Sequence, residues 1–125
     1  MGETLNVAGD LVPPDSMYRA CACFGEKIRY KGNFEWDFSS VLTEDPTPDF
    51  KKHLTQYLQT VLRHKIEKRG WKIPETSLIY PWVVRMFPEA KFIYWVRDPR
   101  DCILAGHGTD ILSNYRVPFE PMKGL

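Results

Sequence analysis

A chain of 125 residues makes one domain. Its apolar fraction of 43% is ordinary for a soluble globular protein, and a formal charge of +1 gives no global pull toward nucleic acid or an anionic membrane. No apolar run approaches the roughly 18 residues of a membrane span and no basic-then-apolar leader opens the chain, while three cysteines (Cys21, Cys23, Cys102), the first two too close to pair, suit a reducing, cytoplasmic setting and offer no metal spacing.

In chain order, Pro13-Pro14 breaks any helix begun near Thr4. Asp15 and Ser16 can cap a helix predicted to run to about Tyr30. Lys31-Gly32-Asn33 reads as a turn, and the aromatic, acidic stretch Phe34 to Ser40 as a loop or a short helix. Glu44-Asp45-Pro46-Thr47-Pro48 is a clear break. The best helix follows: Thr47 at the N-cap, Pro48 at the first helical position and Asp49 complementing the helix dipole. Phe50, Leu54, Tyr57, Leu58, Val61, Leu62 and Ile66 form one apolar stripe. Lys65, Lys68 and Arg69 close the helix and Gly70 ends it. His53 and His64 fall off the stripe and read as solvated.

A short strand is predicted around Trp71 to Ile73. Thr76 or Ser77 then caps a helix to about Met86, with Pro81 within its first turns. A strand from Lys91 to Val96 and a helix from Pro99 to about Ala105 follow, and Gly106 and Gly108 end that helix. The tail after Val117 reads as loosely ordered. The order strand–helix–strand–helix implies an α/β fold with a parallel sheet and right-handed crossover.

The segment Lys91-Phe92-Ile93-Tyr94-Trp95-Val96-Arg97-Asp98-Pro99-Arg100-Asp101 carries the most chemistry. Aromatic and β-branched residues make the strand. Asp98 can cap the next helix and Pro99 can fill its first position, so strand and helix meet where backbone N–H groups and a positive dipole end converge on an anion. Arg97, at the strand exit, adds a bidentate donor for phosphate or carboxylate. The plainer alternative is that Arg97 pairs with Asp101, four residues on.

The upstream pieces decide between these readings. Trp71-Lys72-Ile73-Pro74-Glu75-Thr76, then Pro81, then Phe87-Pro88-Glu89-Ala90-Lys91-Phe92-Ile93, then Arg97-Asp98-Pro99-Arg100-Asp101, resembles in order the sulfotransferases that use 3′-phosphoadenylyl sulfate (PAPS). The resemblance covers roughly residues 71 to 110, about a third of the chain. It implies a P-loop-NTPase-like parallel sheet with flanking helices. It also implies that Arg97 grips the nucleotide's 3′-phosphate and that Lys72 lies near the reacting sulfuryl group. Arg100 touches the nucleotide or only the surface, and Asp101 steadies Arg97 or the helix start. Sulfuryl transfer calls for positioning and charge neutralisation around an in-line displacement, with a base for the acceptor's proton. No metal is implied.

Three departures accompany the resemblance. The serine that the family places eight residues after the arginine is Ala105 here, so its phosphate contact is lost or passes to His107 or Thr109. The histidine that one branch carries two residues after the lysine is Pro74, which has no acid–base chemistry. Glu35, in Gly32-Asn33-Phe34-Glu35, is then the candidate base, against the alternative of an ordinary loop glutamate. Tyr30, Trp36 and Phe38 line an acceptor pocket or plug the core. The largest departure is the absence of the glycine-rich phosphosulfate loop that opens the family's fold.

The expected whole is therefore an incomplete domain over 1–125, truncated at its N-terminus and inactive alone. It carries the 3′-phosphate half of a site that moves a sulfuryl group to a hydroxyl or amine on a small-molecule, glycan or lipid acceptor. The alternative is a non-catalytic α/β module for nucleotide binding or interaction. Nothing in the sequence indicates a nucleic-acid partner, and the oligomeric state is not written in it.

Overall fold

A computed structural model describes residues 15–63, 65, 67–103 and 112–119. Helix α1 (Asp15–Gly25) comes first. Its buried Met17, Ala20, Cys21 and Phe24 follow the i, i+3, i+4, i+7 spacing of a single helix face. It stops at Gly25, short of the expected Tyr30, and a Cβ at Gly25 would overlap the carbonyl oxygen of Tyr115. Close passage of a second backbone selects glycine at this position.

The stretch from 31 to 40, read as a turn and then a loop or short helix, lies in a hairpin and the start of a helix. Strands β1 (Arg29–Gly32) and β2 (Glu35–Asp37) pair antiparallel, with Arg29 opposite Asp37 and Tyr30 opposite Trp36. Asn33 and Phe34 both take positive φ, 51° and 59°, and lead the chain through the tight reversal. A phenylalanine in that region runs against its steric preference, which is why the local sequence hid the turn. Helix α2 (Ser39–Thr43) follows directly.

The Thr47 start is as expected. Thr47 Oγ1 accepts from the Phe50 N–H at 3.2 Å and Pro48 opens α3 (Pro48–Tyr57). The expected single long helix is broken at Leu58, beyond which α4 (Gln59–Arg63) continues. Helix α5 (Thr76–Met86) contains Pro81 and ends where expected. Its first cap is Glu75 rather than Thr76 or Ser77, since Thr76 Oγ1 accepts from Trp71 Nε1 at 3.1 Å. Helix α6 (Pro99–Ile103) is a single turn, followed later by a 3-10 turn at Leu112–Tyr115.

Helices α1, α3 and α5 enclose the core. Trp82 sits at its centre, fully buried, edge-on to Phe24 at 5.2 Å and to Phe50 at 4.8 Å. Tyr115 and Val117 are buried against this body, and Trp36 Nε1 donates to the Pro118 carbonyl at 2.7 Å. Pro118 and Phe119, in the tail expected to be loose, are thus anchored.

The expected parallel sheet is the main difference. The β1–β2 hairpin is the one ladder among the described residues, and it is antiparallel. Residues 71–73 and 91–96 belong to no ladder. A strand exists only against a neighbouring backbone, and none of the described residues supplies one to either segment. The fold shown is a mixed one: helices and a small two-stranded sheet.

Candidate functional site

Two unladdered segments face each other across a cleft of about 640 Å³. One wall runs from Arg69 to Ser77, the other from Ala90 to Arg97, and Tyr80 of α5 joins them. Tyr80 holds the second wall through aromatic contacts, edge-on to Phe92 at 4.8 Å and to Tyr94 at 5.7 Å. Trp71 fixes the first, packed against Phe87 at 6.0 Å and bonded to Thr76.

Four cationic side chains line this cleft: Arg69, Lys72, Lys91 and Arg97. No carboxylate is among the lining residues. Lys72, Lys91 and Arg97, gathered with no ion pair among the described residues, repel one another, and an anion in the cleft relieves that repulsion. Arg69 Nη1 is engaged by the Leu62 carbonyl at 2.9 Å. Among the described residues no ion pair forms to Arg97, Lys72 or Lys91, so the alternative pairing of Arg97 with Asp101 does not occur.

The turn after Arg97 is built as expected but used differently. Asp98 Oδ1 accepts from the Arg100 N–H at 2.9 Å and caps α6. The Arg100 guanidinium folds back onto the same carboxylate, with Nη2 2.6 Å from Oδ2. These bonds hold the Asp98 carboxyl below its ordinary range. The anion position at the start of α6 is therefore filled by Asp98 itself, and a one-turn helix adds little dipole of its own.

The structure brings Lys72 and Arg97 onto one cleft. It does not bring the other two candidates there. Arg100 is tied to Asp98, and Glu35 stands exposed at the start of β2, opposite Gly32. Tyr30 and Trp36 pack with Phe119 on the hairpin rather than lining the cleft. Ala105, His107 and Thr109 lie outside the described residues, as does His64. Reasoning from sequence missed Arg69, Tyr80 and Lys91. Lys91 had a signal: it shares the two-residue period of Ile93, Trp95 and Arg97, which puts both charges on one side of an extended chain.

Among the described residues no group of His, Cys, Asp and Glu side chains is placed to hold a metal ion, and no helix is long and apolar enough to cross a membrane. Comparison with curated proteins and with solved structures found no match. The model of the Sulfotransferase family matches residues 21–120, which takes in the end of α1, the other helices, the hairpin and both walls of the cleft. The chain belongs to the sulfotransferase family.

Proposed function

We propose that this chain carries the 3′-phosphate half of a PAPS site and serves sulfuryl transfer to a hydroxyl or amine acceptor. One observation carries the reading: Lys72 and Arg97 line a single cleft that holds four cations and no carboxylate. The residues suit the nucleotide. A phosphomonoester brings about 1.5 to 2 negative charges, and the aromatic side chains along both walls offer faces to a base. Arg97 would hold the 3′-phosphate through its guanidinium fork, and Lys72 the neighbourhood of the sulfuryl group as a point charge. PAPS would supply the activated sulfuryl group. The side chains of this chain bind, orient and neutralise.

Residues 91–96 would be a central strand of a parallel sheet, which explains why both of its faces are apolar. No glycine-rich phosphate loop occurs in the 125 residues, so the isolated chain would bind nucleotide without transferring sulfate. The second reading is a nucleotide-binding module without catalysis. The acceptor would be a small molecule, a glycan or a lipid. Neither Pro74 nor Glu35 places a base in the cleft, so the acceptor's proton would leave by another group.

Titration of the chain with adenosine 3′,5′-bisphosphate tests the reading. Arg97→Ala should weaken binding by about 1.5–3 kcal/mol, the worth of a charge-assisted bidentate contact. Equal affinities for wild type and variant would remove Arg97 from the site.

A further inference from the structure

One buried carboxylate has no part in the function just described. Glu75 is only 4% exposed. Its Oε1 accepts a hydrogen bond from the Tyr115 hydroxyl at 3.3 Å, a buried contact between residues 40 apart in the chain. Its Oε2 is enclosed and has no hydrogen-bond partner among the described residues. Tyr115 stacks on Tyr18 of α1, centroids 5.9 Å apart and rings within 8° of parallel. Burial, and then the Glu75 carboxylate, raise the pKa of Cys21 to about 12. The same two causes raise the hydroxyls of Tyr18, Tyr57 and Tyr115. A half-satisfied carboxylate among such neighbours is destabilising for the body that holds it. An apolar side chain of similar volume would pack there at less cost.

Its place in the chain gives it a use. Glu75 lies three residues after Lys72 and immediately before α5. Lys72, Pro74, Thr76 and Ser77 line the cleft, whereas Glu75 does not. Its side chain leaves the same stretch of backbone for the body, where it meets Tyr115. Tyr115 itself is 3% exposed and belongs to the buried body. We propose that Glu75 is a positioning residue: the Glu75–Tyr115 hydrogen bond latches the Lys72 wall to the helical body and sets the stance of Lys72 toward Arg97.

This rests on the nucleotide reading of the cleft, so the test uses one readout that needs the nucleotide and one that does not. The first is the affinity of the full chain for adenosine 3′,5′-bisphosphate. The second is the acylation rate of the Lys72 amine by an N-hydroxysuccinimide ester, mapped by mass spectrometry. Thermal unfolding runs beside both. Glu75→Leu, which has no acceptor for the Tyr115 hydroxyl, and Tyr115→Phe should each weaken nucleotide binding about 3- to 10-fold, the worth of one net hydrogen bond. The double variant should be no weaker than the worse single variant. Each should also change Lys72 acylation by about twofold or more, a shift on the scale of the same bond. Val41→Ala, a core change on α2, whose Leu42 carbonyl accepts from Arg85 at the other end of α5 from Glu75, should lower the melting temperature and leave both readouts unchanged. Latch variants that melt early but bind and acylate as wild type would overturn the proposal and leave Glu75 a structural group. If wild type and Arg97→Ala both fail to bind nucleotide, the cleft reading falls, and Lys72 acylation still decides the latch. Should Glu75→Leu not fold, Tyr115→Phe, which loses one hydroxyl, decides alone.

Discussion

The helical body and the segment 91–97 both carry large apolar side chains, and these meet opposite fates. Trp82 on α5 is fully buried, while Trp95 is 86% exposed and Ile93 95%. The difference lies in the backbone. A helix satisfies its own N–H and C=O groups, so α1, α3 and α5 need only side-chain cover, and they obtain it from one another. An extended segment must borrow hydrogen bonds from neighbouring strands, and the described residues lend none to 91–96. Apolar side chains on a helix and on an extended segment thus differ in how much of the surrounding chain they require.

Paired substitutions break this comparison most sharply. Trp82→Ala should lower stability by about 3–5 kcal/mol, because it empties the centre of the core. Trp95→Ala should change it by less than about 0.5 kcal/mol, as a surface change does. Denaturant melts of both variants decide, and a large loss from Trp95→Ala would mean that 91–97 is packed. Trp95→Lys sharpens the point from the other side. An exposed apolar extended segment invites strand pairing between copies, and a charge there opposes it. Light scattering at rising concentration should show less association for Trp95→Lys than for wild type.

Gly25 tests how the body is closed. A Cβ at Gly25 would meet the Tyr115 backbone, which cannot yield as a side-chain tip can. Gly25→Ala should therefore destabilise by about 1–3 kcal/mol, the range of overpacking in a tight site, even though alanine is the better helix former. A neutral or stabilising result would show that the chain around Tyr115 shifts freely.

Alkali probes the same body more gently. The Cys21 thiol is raised from 9.0 to about 12, by burial first and then by Glu75. A group whose folded pKa is raised contributes stability that is complete below the unfolded value and is lost as pH climbs toward the folded one. Tyr18, Tyr57 and Tyr115 are raised from 10.0 in the same direction. The melting temperature should accordingly fall as pH rises from about 9 toward 12, and Cys21 should resist alkylation by iodoacetamide until the chain unfolds. Rapid labelling of Cys21 in the folded protein would contradict the burial.

What the sequence revealed follows the same division. The Thr47-Pro48 start of α3, the end of α5 at Met86 and the Asp98 cap of α6 depend on residues within a turn of each other, and each is where local chemistry puts it. The hairpin was hidden because its turn is made by Asn33 and Phe34 at positive φ, with no glycine at either central position. The strand character of 91–96 was legible as composition, but pairing is non-local and could not be read from the segment. At the site, Arg97 and Lys72 were legible through the ordered motif that carries the family resemblance. Arg69 and Tyr80 come to the cleft only through folding, and Glu75 passed unnoticed because a glutamate next to a helix start reads as solvated.

The central claim is that Arg97 in this cleft recognises a 3′-phosphate, and a cycle of ligand and residue tests it most directly. Affinities of wild type and Arg97→Ala are measured for adenosine 3′,5′-bisphosphate and for adenosine 5′-monophosphate, which lacks the 3′ group. In wild type, loss of the 3′-phosphate should weaken binding by about 1.5–3 kcal/mol. In Arg97→Ala the two ligands should bind nearly alike, since the partner of the 3′ group is gone. An undiminished preference for the bisphosphate in Arg97→Ala would contradict the account and move the 3′-phosphate site to other cations.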